Sequence, residues 1–238
     1  MKTKKTIKIV TGFIVLLTLP SILFFLFMFF KYSEELPQGI QGPKADTLAY
    51  KMLNTLNYDA YKNTNYLEWT FKKRHHYKWK KNENLCSVYW EDYKVDLNLN
   101  NKALNKAYVH GFIVKSDLGE ELITKAQSYF NNDSFWLVAP YKVFDKGTER
   151  RLVNLKKGNT ALLVTYTSGG TTPGDSYLWF FEKNGMPKSF KMWTSILPIQ
   201  GLESSWSNWM TTESGAKLPT FHNILFFGIE ITNIKGTN

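Results

Sequence analysis

One cysteine in 238 residues, Cys86, excludes an intrachain disulfide, and it lies too deep to be the lipid-acceptor cysteine of a lipoprotein signal. Stability has to come from packing. No GxSxG, no HExxH and no isolated pair of buried-type carboxylates occurs, so no nucleophile or general base can be assigned and an enzyme is not expected. Histidine is scarce as well. His75 and His76 are adjacent, which in a strand points them to opposite faces, and no HxxxH or CxxC spacing joins them to His110 or Cys86. Neither a metal nor a cofactor is expected. The glycine-rich stretches Ser168-Gly169-Gly170 and Pro173-Gly174-Asp175 are not followed by a helix start with Lys-Ser/Thr, so they read as a long hairpin connection, not a phosphate cradle. Repeats of fixed length and a βαβ rhythm are absent too.

Acidic residues are missing from the first 31 positions, which carry five lysines. Within them, Ile9 to Phe30 form a run of 22 residues without a charge. As a helix such a run spans about 33 Å, enough for the hydrocarbon core of a bilayer. The run closes on Phe29 and Phe30, with Lys31 and Tyr32 next, where a cleaved signal would place small residues, so an uncleaved signal anchor is expected. Pro20 is tolerated in such a span. Lys2, Lys4, Lys5 and Lys8 precede it, whereas Lys31, Glu34 and Glu35 follow, which puts the N-terminus in the cytosol. The expected location is the inner membrane, single-pass, with the C-terminal domain in the periplasm or another extracytoplasmic space. The formal charge is +10, half of it in those first 31 residues, so the remainder is only mildly basic.

The chain divides into a cytosolic stub with its anchor (residues 1–33), a Pro/Gly-rich linker "EELPQGIQGPK" (34–44) and a β domain (45–238). Asp46 can cap a helix with Leu48, Ala49, Met52, Leu53, Leu56 and Ala60 at helical spacing. From Asn65 the period falls to two. Leu67, Trp69 and Phe71 share a face, and Tyr93, Val95, Leu97 and Leu99 alternate with polar residues. A further run covers residues 106–114. Asp117 and Glu120 open a helix expected to run through about Asn131. Strand-like runs resume at 149–155, 160–167, 176–182, 187–195, 204–213 and 224–233, with Asn184-Gly185 as a hairpin turn. The predicted fold is α+β and mainly antiparallel β: an incomplete, half-open β-barrel of about eleven strands covered by helices and preceded by one transmembrane helix.

Two features invite a functional reading. "FKKRHHYKWKK" (71–81) alternates so that Lys72, Arg74, His76, Lys78 and Lys80 share one face while His75, Tyr77 and Trp79 take the other. A solvated basic face over an aromatic core accounts for it, as does an anionic membrane or partner surface built on Lys72, Arg74, Lys78 and Lys80. Nucleic acid is not an expected partner on the far side of the membrane. Aromatics are the second feature. Tyr177, Trp179 and Phe181 share a strand face, Trp193, Trp206 and Trp209 follow, and "DSFWLVAPYKVFDKG" (133–147) spends Phe135, Trp136, Leu137, Val138, Tyr141, Val143 and Phe144 on what reads as a connection. Such residues line an apolar ligand pocket or fill a bulky core.

These stretches carry a resemblance. "FWLVAPYKVFDKGTE", "TYTSGG…GDSYLWFFEKNGMPKSFKMW" and "AYKMLNTLNYDAYKNTNYLEWTF" resemble the LolA/LolB-like lipoprotein-sorting and lipid-carrier superfamily, in particular its membrane-anchored members, over residues 45 to 235. The resemblance implies an apolar cavity for acyl chains with residues 133–144 in its covering layer. Candidate lipid-binding residues are Trp69, Phe71, Trp79, Phe135, Trp136, Val138, Tyr177, Trp179, Phe181, Trp193 and Trp206. None of Arg74, Arg150 and Arg151 is assigned the carriers' lid-closing role. The expected function is non-enzymatic binding of a lipid or an acylated protein in an aromatic-lined cavity, tethered to the membrane. The alternative is an interaction or scaffold domain with a filled barrel that docks a partner or membrane through its basic strand face.

Overall fold

The computed structural model describes residues 2–238, with backbone alone for residues 2–6, 9 and 157. Helix α1 (Lys2–Tyr32) is followed by α2 (Pro43–Thr55) and α3 (Tyr58–Asn63). Six strands then run in sequence: β1 (Tyr66–Phe71), β2 (His75–Lys80), β3 (Leu85–Trp90), β4 (Tyr93–Asn98), β5 (Lys106–Val109) and β6 (Phe112–Val114). Helix α4 (Asp117–Val138) leads to β7 (Thr148–Asn154), β8 (Thr160–Tyr166), β9 (Ser176–Phe181), β10 (Pro187–Trp193) and β11 (Leu202–Ser205). The chain ends with β12 (Ser207–Thr211), β13 (Lys217–Ile224) and β14 (Phe227–Thr237).

All strand pairs are antiparallel and form one open sheet of 14 strands, ordered β6-β5-β4-β3-β2-β1-β14-β13-β11-β10-β9-β8-β7 with β12 beside β13. Two meanders are thus joined twice: β1 pairs with β14 at the middle, and α4 crosses from one free edge to the other. Laid flat, such a row would be roughly 60 Å wide. Yet Val95 and Leu97 on β4, Leu162 and Val164 on β8, and Leu122, Ala126 and Leu137 on α4 share one buried cluster. The sheet is therefore curled around α4.

The expected eleven strands become 14 for identifiable reasons. Residues 106–114 are a hairpin, because His110 and Gly111 both take positive φ. The run 204–213 breaks at Trp206, where β11 leaves β10 and β12 continues on β13. Residues 217–224 hide a strand behind Pro219, which sits where β13 is paired on the β12 side only, so its missing N–H breaks no ladder. The basic run 71–81 also contains a turn: Lys72 and Lys73 have φ of 49° and 57°, so Lys72 and Arg74 lie in the β1–β2 connection and do not share a strand face with Lys78 and Lys80. Helix α4 extends to Val138, past the Asn131 end expected from sequence, and a 3-10 turn over Ala139–Lys142 completes it. Pro140 is the first residue after Asn131 that cannot continue an α-helix ladder. The α2 helix starts at Pro43, with Asp46 inside its first turn in place of the expected cap.

Helices α2 and α3 close one side of the curl. Tyr141 stacks on Tyr61 with ring centroids 4.0 Å apart, and its hydroxyl accepts from the Lys217 N–H at 3.1 Å and donates to the Lys217 carbonyl at 2.6 Å. Arg150 Nε donates to Asp46 at 2.6 Å and its guanidinium covers the Phe144 ring at 4.1 Å. Residues 33–42 run along the opposite face of the sheet, over a smaller cluster of Val153, Ala161, Leu163, Leu178 and Trp193. Glu34 N–H donates to Gln200 O at 2.9 Å, Trp193 Nε1 donates to Glu34 O at 2.8 Å, and Ile40 bridges Leu152. Within α1, Val10–Tyr32 is long and apolar enough to cross a membrane, with mean hydropathy 2.7. Side chains 10–27 are exposed, whereas Met28 is 8% exposed and belongs to the main core.

Candidate functional site: two aromatic clusters and a groove

The period-two pattern aims one row of each strand at α4, and the bulky members of those rows gather into two clusters. Near the middle of α4, Trp69 stacks on Tyr77 (4.5 Å), and Trp79 meets Phe130 edge-on (5.3 Å). A polar node lies within this cluster. Asp133, 2% exposed, accepts from the Tyr77 hydroxyl at 2.6 Å and lies 2.7 Å from His75 Nδ1, while Asn132 Nδ2 donates to its other oxygen at 2.8 Å. Burial and the adjacent carboxylate push the Tyr77 phenol far up, so it remains a donor. Four polar groups on α4 and β2 thereby satisfy one another, and His75 is further stacked on Tyr129 at 4.0 Å.

Around the last turns of α4 the second cluster assembles Phe135, Trp136, Tyr177, Trp179, Phe190 and Trp206, with Phe135 to Tyr177 at 4.5 Å, Trp136 to Phe190 at 5.6 Å and Trp179 to Trp206 at 5.0 Å. His222 lies inside it, 0% exposed, with its ring 4.5 Å from Trp206 and 5.2 Å from Trp136. Its Nδ1–H donates to the Ser205 carbonyl at 3.0 Å, which leaves Nε2 as the unprotonated acceptor. Desolvation lowers its pKa to about 4. Among the described residues Nε2 finds no hydrogen-bond partner, and neither do the indole N–H groups of Trp179, Trp206 and Trp209 here or of Trp69 and Trp79 in the first cluster.

Next to this cluster the sheet splits. Up to Trp206, whose N–H donates to the Lys188 carbonyl at 2.7 Å, the β11 segment is held to β10; beyond it β12 pairs only with β13. The gap between the start of β10 and β12 is a groove of about 550 Å³ with Met186, Pro187, Trp206 and Trp209 as its apolar lining and Glu182, Glu203 and Asn223 among its polar neighbours. That volume lies in the range of small-ligand sites. Trp206 and Trp209 stack at 6.1 Å. A second depression of about 390 Å³, on β3–β5, is lined by Lys80, Lys94 and Asp96 among others and is far more polar.

The residues singled out from sequence therefore separate. Phe135, Trp136, Tyr177, Trp179 and Trp206 come together, with Val138 buried nearby at 0%. Trp69 and Trp79 belong to the first cluster; Phe71 is buried and Phe181 half-buried against the same core. Trp193 is on the opposite face, under residue Glu34. Among the basic residues, Lys72 and Arg74 sit at one end of the sheet, Lys78 is on the exposed face of β2, and Lys80 is beside Glu83 at the other end. Asp133, His222, Met186 and Pro187 were not singled out. For Asp133 and His222 the available signal was a polar group directly beside an apolar run, in "NNDSFWL" and "TFHNILFF".

No protein-family model matches this chain, and no curated protein matches it. Among solved structures, a DUF1329 family protein from Desulfovibrio piger ATCC 29098 is similar at a TM-score of 0.40 and 10% identity, over 81% of this chain and 92% of that one. At that level nothing of the neighbour's function passes to this protein.

Proposed function

We propose that this protein is a non-enzymatic, membrane-anchored binding domain that takes up an acyl chain, from a lipid or a lipidated protein, in the groove over Trp206 and Trp209. The observation that carries the reading is the apolar groove opened where β12 parts from β10. Binding there gains about 0.8 kcal/mol per buried CH₂, so eight methylenes contribute roughly 6 kcal/mol before ordering costs. An ester or carboxylate oxygen at the chain's head would in addition give an unpartnered indole N–H an acceptor, and a buried donor left unpaired costs about 1–3 kcal/mol. The resemblance to LolA/LolB-like carriers supports the ligand class, but the site differs from the enclosed cavity it implies, because the space between sheet and α4 holds rings in mutual contact. Helix α1 supplies the anchor, with the sheet domain on the extracytoplasmic side.

That same ring contact favours a second reading, a filled scaffold that docks a partner and binds no lipid. A photoactivatable palmitate analogue added to the full chain in nanodiscs separates the two. Crosslinks should map to residues 186–189 and 203–209 and fall about tenfold in Trp209→Glu. Labelling confined to α1 would favour the scaffold.

A further inference from the structure

We infer that one end of the sheet is a membrane seat: Phe226, Phe227 and Ile196 enter the boundary layer of the bilayer that α1 crosses, and the Lys72–Arg74 turn rests on its anionic headgroups. The inference depends on the anchor reading of α1 given above, and it concerns a different part of the domain from the groove.

The register places these residues together. Ser204 pairs with Ile224 in antiparallel fashion, so the β13–β14 tip at residues 225–227 reaches the level of residues 201–203. Those residues follow the β10–β11 loop, where α1 arrives: Gln200 accepts from the Glu34 N–H, and Lys191 Nζ reaches Glu34 Oε1 at 2.5 Å. Gly201, at φ +79°, allows this approach, since a Cβ there would stand 2.8 Å from that of Glu34. On the far side of β14, Phe71 pairs with Ile231 and Lys72 N–H donates to Glu230 O, which carries the β1–β2 turn to the same end. Strand order β1-β14-β13-β11-β10 makes the loop, the tip and the turn neighbours over roughly 20 Å.

Each of the three is built at a cost that folding alone does not explain. Phe226, Phe227 and Ile196 are 66%, 63% and 68% exposed. The tip puts Leu225 at φ 55°, and the turn puts Lys72 and Lys73 at φ 49° and 57°, where glycine or asparagine would be easier by about 1 kcal/mol per residue. Strain and greasy exposure at adjacent turns point to a surface shaped for contact.

Its occupant follows from α1. Side chains 10–27 of that helix are exposed, but Met28 is already in the core, four residues before the apolar span ends at Tyr32. When that span fills the hydrocarbon layer, Met28 stands about 6 Å inside its outer boundary, so the part of the domain touching Met28 reaches the bilayer and the adjoining rim meets the lipid surface. Charge agrees: Lys72, Lys73 and Arg74 are exposed, and among the described residues only Lys73 of the three is paired, to Glu230 at 3.3 Å. The acidic turn Glu91-Asp92, with His110 3.9 Å from Asp92, lies two strands further along the rim, away from α1. Basic residues near an anionic surface each contribute about 1 kcal/mol.

The test uses the full chain, with Cys86→Ala, in vesicles of phosphatidylcholine and phosphatidylglycerol, with an environment-sensitive fluorophore on Phe226→Cys. Emission should shift to the blue and be quenched at least about twofold by lipids spin-labelled near the headgroup, and adding Lys72→Glu and Arg74→Glu should weaken the quenching. The same label on Asn184→Cys, at the opposite end of the sheet, should stay unquenched. A chain that resists alkaline carbonate extraction yet shows no quenching at position 226 overturns the seat and spares the anchor. Release by carbonate overturns both.

Discussion

The two aromatic clusters under α4 differ in how each holds its buried titratable group and in what lies beside it. In the first, Asp133 is shared by Tyr77, His75 and Asn132, so its carboxylate is satisfied by residues of α4 and β2. Unpartnered indoles occur in both, Trp69 and Trp79 in the first and Trp179 and Trp206 in the second, but in the second His222 Nε2 also finds no partner among the described residues, and the sheet opens next to it. The first cluster fastens the helix to the sheet; the second borders an open groove.

That contrast can be broken by substitution. Asp133→Ala removes the shared acceptor and leaves the Tyr77 hydroxyl and the His75 ring nitrogen unpaired in the core, which should cost about 4 kcal/mol in chemical denaturation of the full chain. Asp133→Asn, which keeps an acceptor, should cost less. An equal loss in both variants would mean that hydrogen bonding to Asp133 is not what holds α4.

The second cluster should answer to acid. Unfolded, His222 takes up its proton near 6.5; folded, only near 4. Protons therefore favour the unfolded chain, and the stability present above pH 6.5 is lost as pH falls toward 4, by on the order of 3 kcal/mol in full. His222→Phe should flatten that part of the pH–stability profile. An unaltered slope would assign the acid sensitivity to other groups.

Smaller still are the changes expected at the groove. Trp209→Glu should reduce acyl crosslinking about tenfold while moving the unfolding midpoint little, since the residue is half-buried and its loss opens no enclosed cavity. A large drop in stability would class Trp209 with the first cluster. Phe226→Ser, at an exposed tip, should leave stability within about 0.5 kcal/mol and change only the membrane contact.

How much of this could be read from residues alone depends on how local the cause was. The apolar run of α1, the alternation along β4 and the Asn184-Gly185 turn are local signals, and each corresponds to an element of the structure. The turn at Lys72-Lys73 was hidden, because two lysines in left-handed backbone leave no glycine or asparagine to mark it. Pro219 masked β13, since whether a strand tolerates proline depends on which side its neighbour lies. The end of α4 was misplaced because Asn131, Asn132, Asp133 and Ser134 look like a stop, while tertiary contacts to β2 give Asp133 the partners that make it acceptable inside a helix. The candidate lipid-binding aromatic residues are buried or half-buried in the structure, yet only register decides that Trp193 faces away from Trp206. The groove itself arises from the parting of two strands at Trp206, which no residue pattern announces.

The most direct test of acyl binding in the groove is the indole ¹H–¹⁵N resonances of Trp206 and Trp209, followed by NMR of the full chain in nanodiscs as palmitate is added. Both should shift downfield as their unpartnered N–H groups gain an acceptor, while that of Trp193, already bonded to the Glu34 carbonyl, stays in place. Unmoved signals from Trp206 and Trp209 at saturating palmitate would contradict acyl binding in the groove.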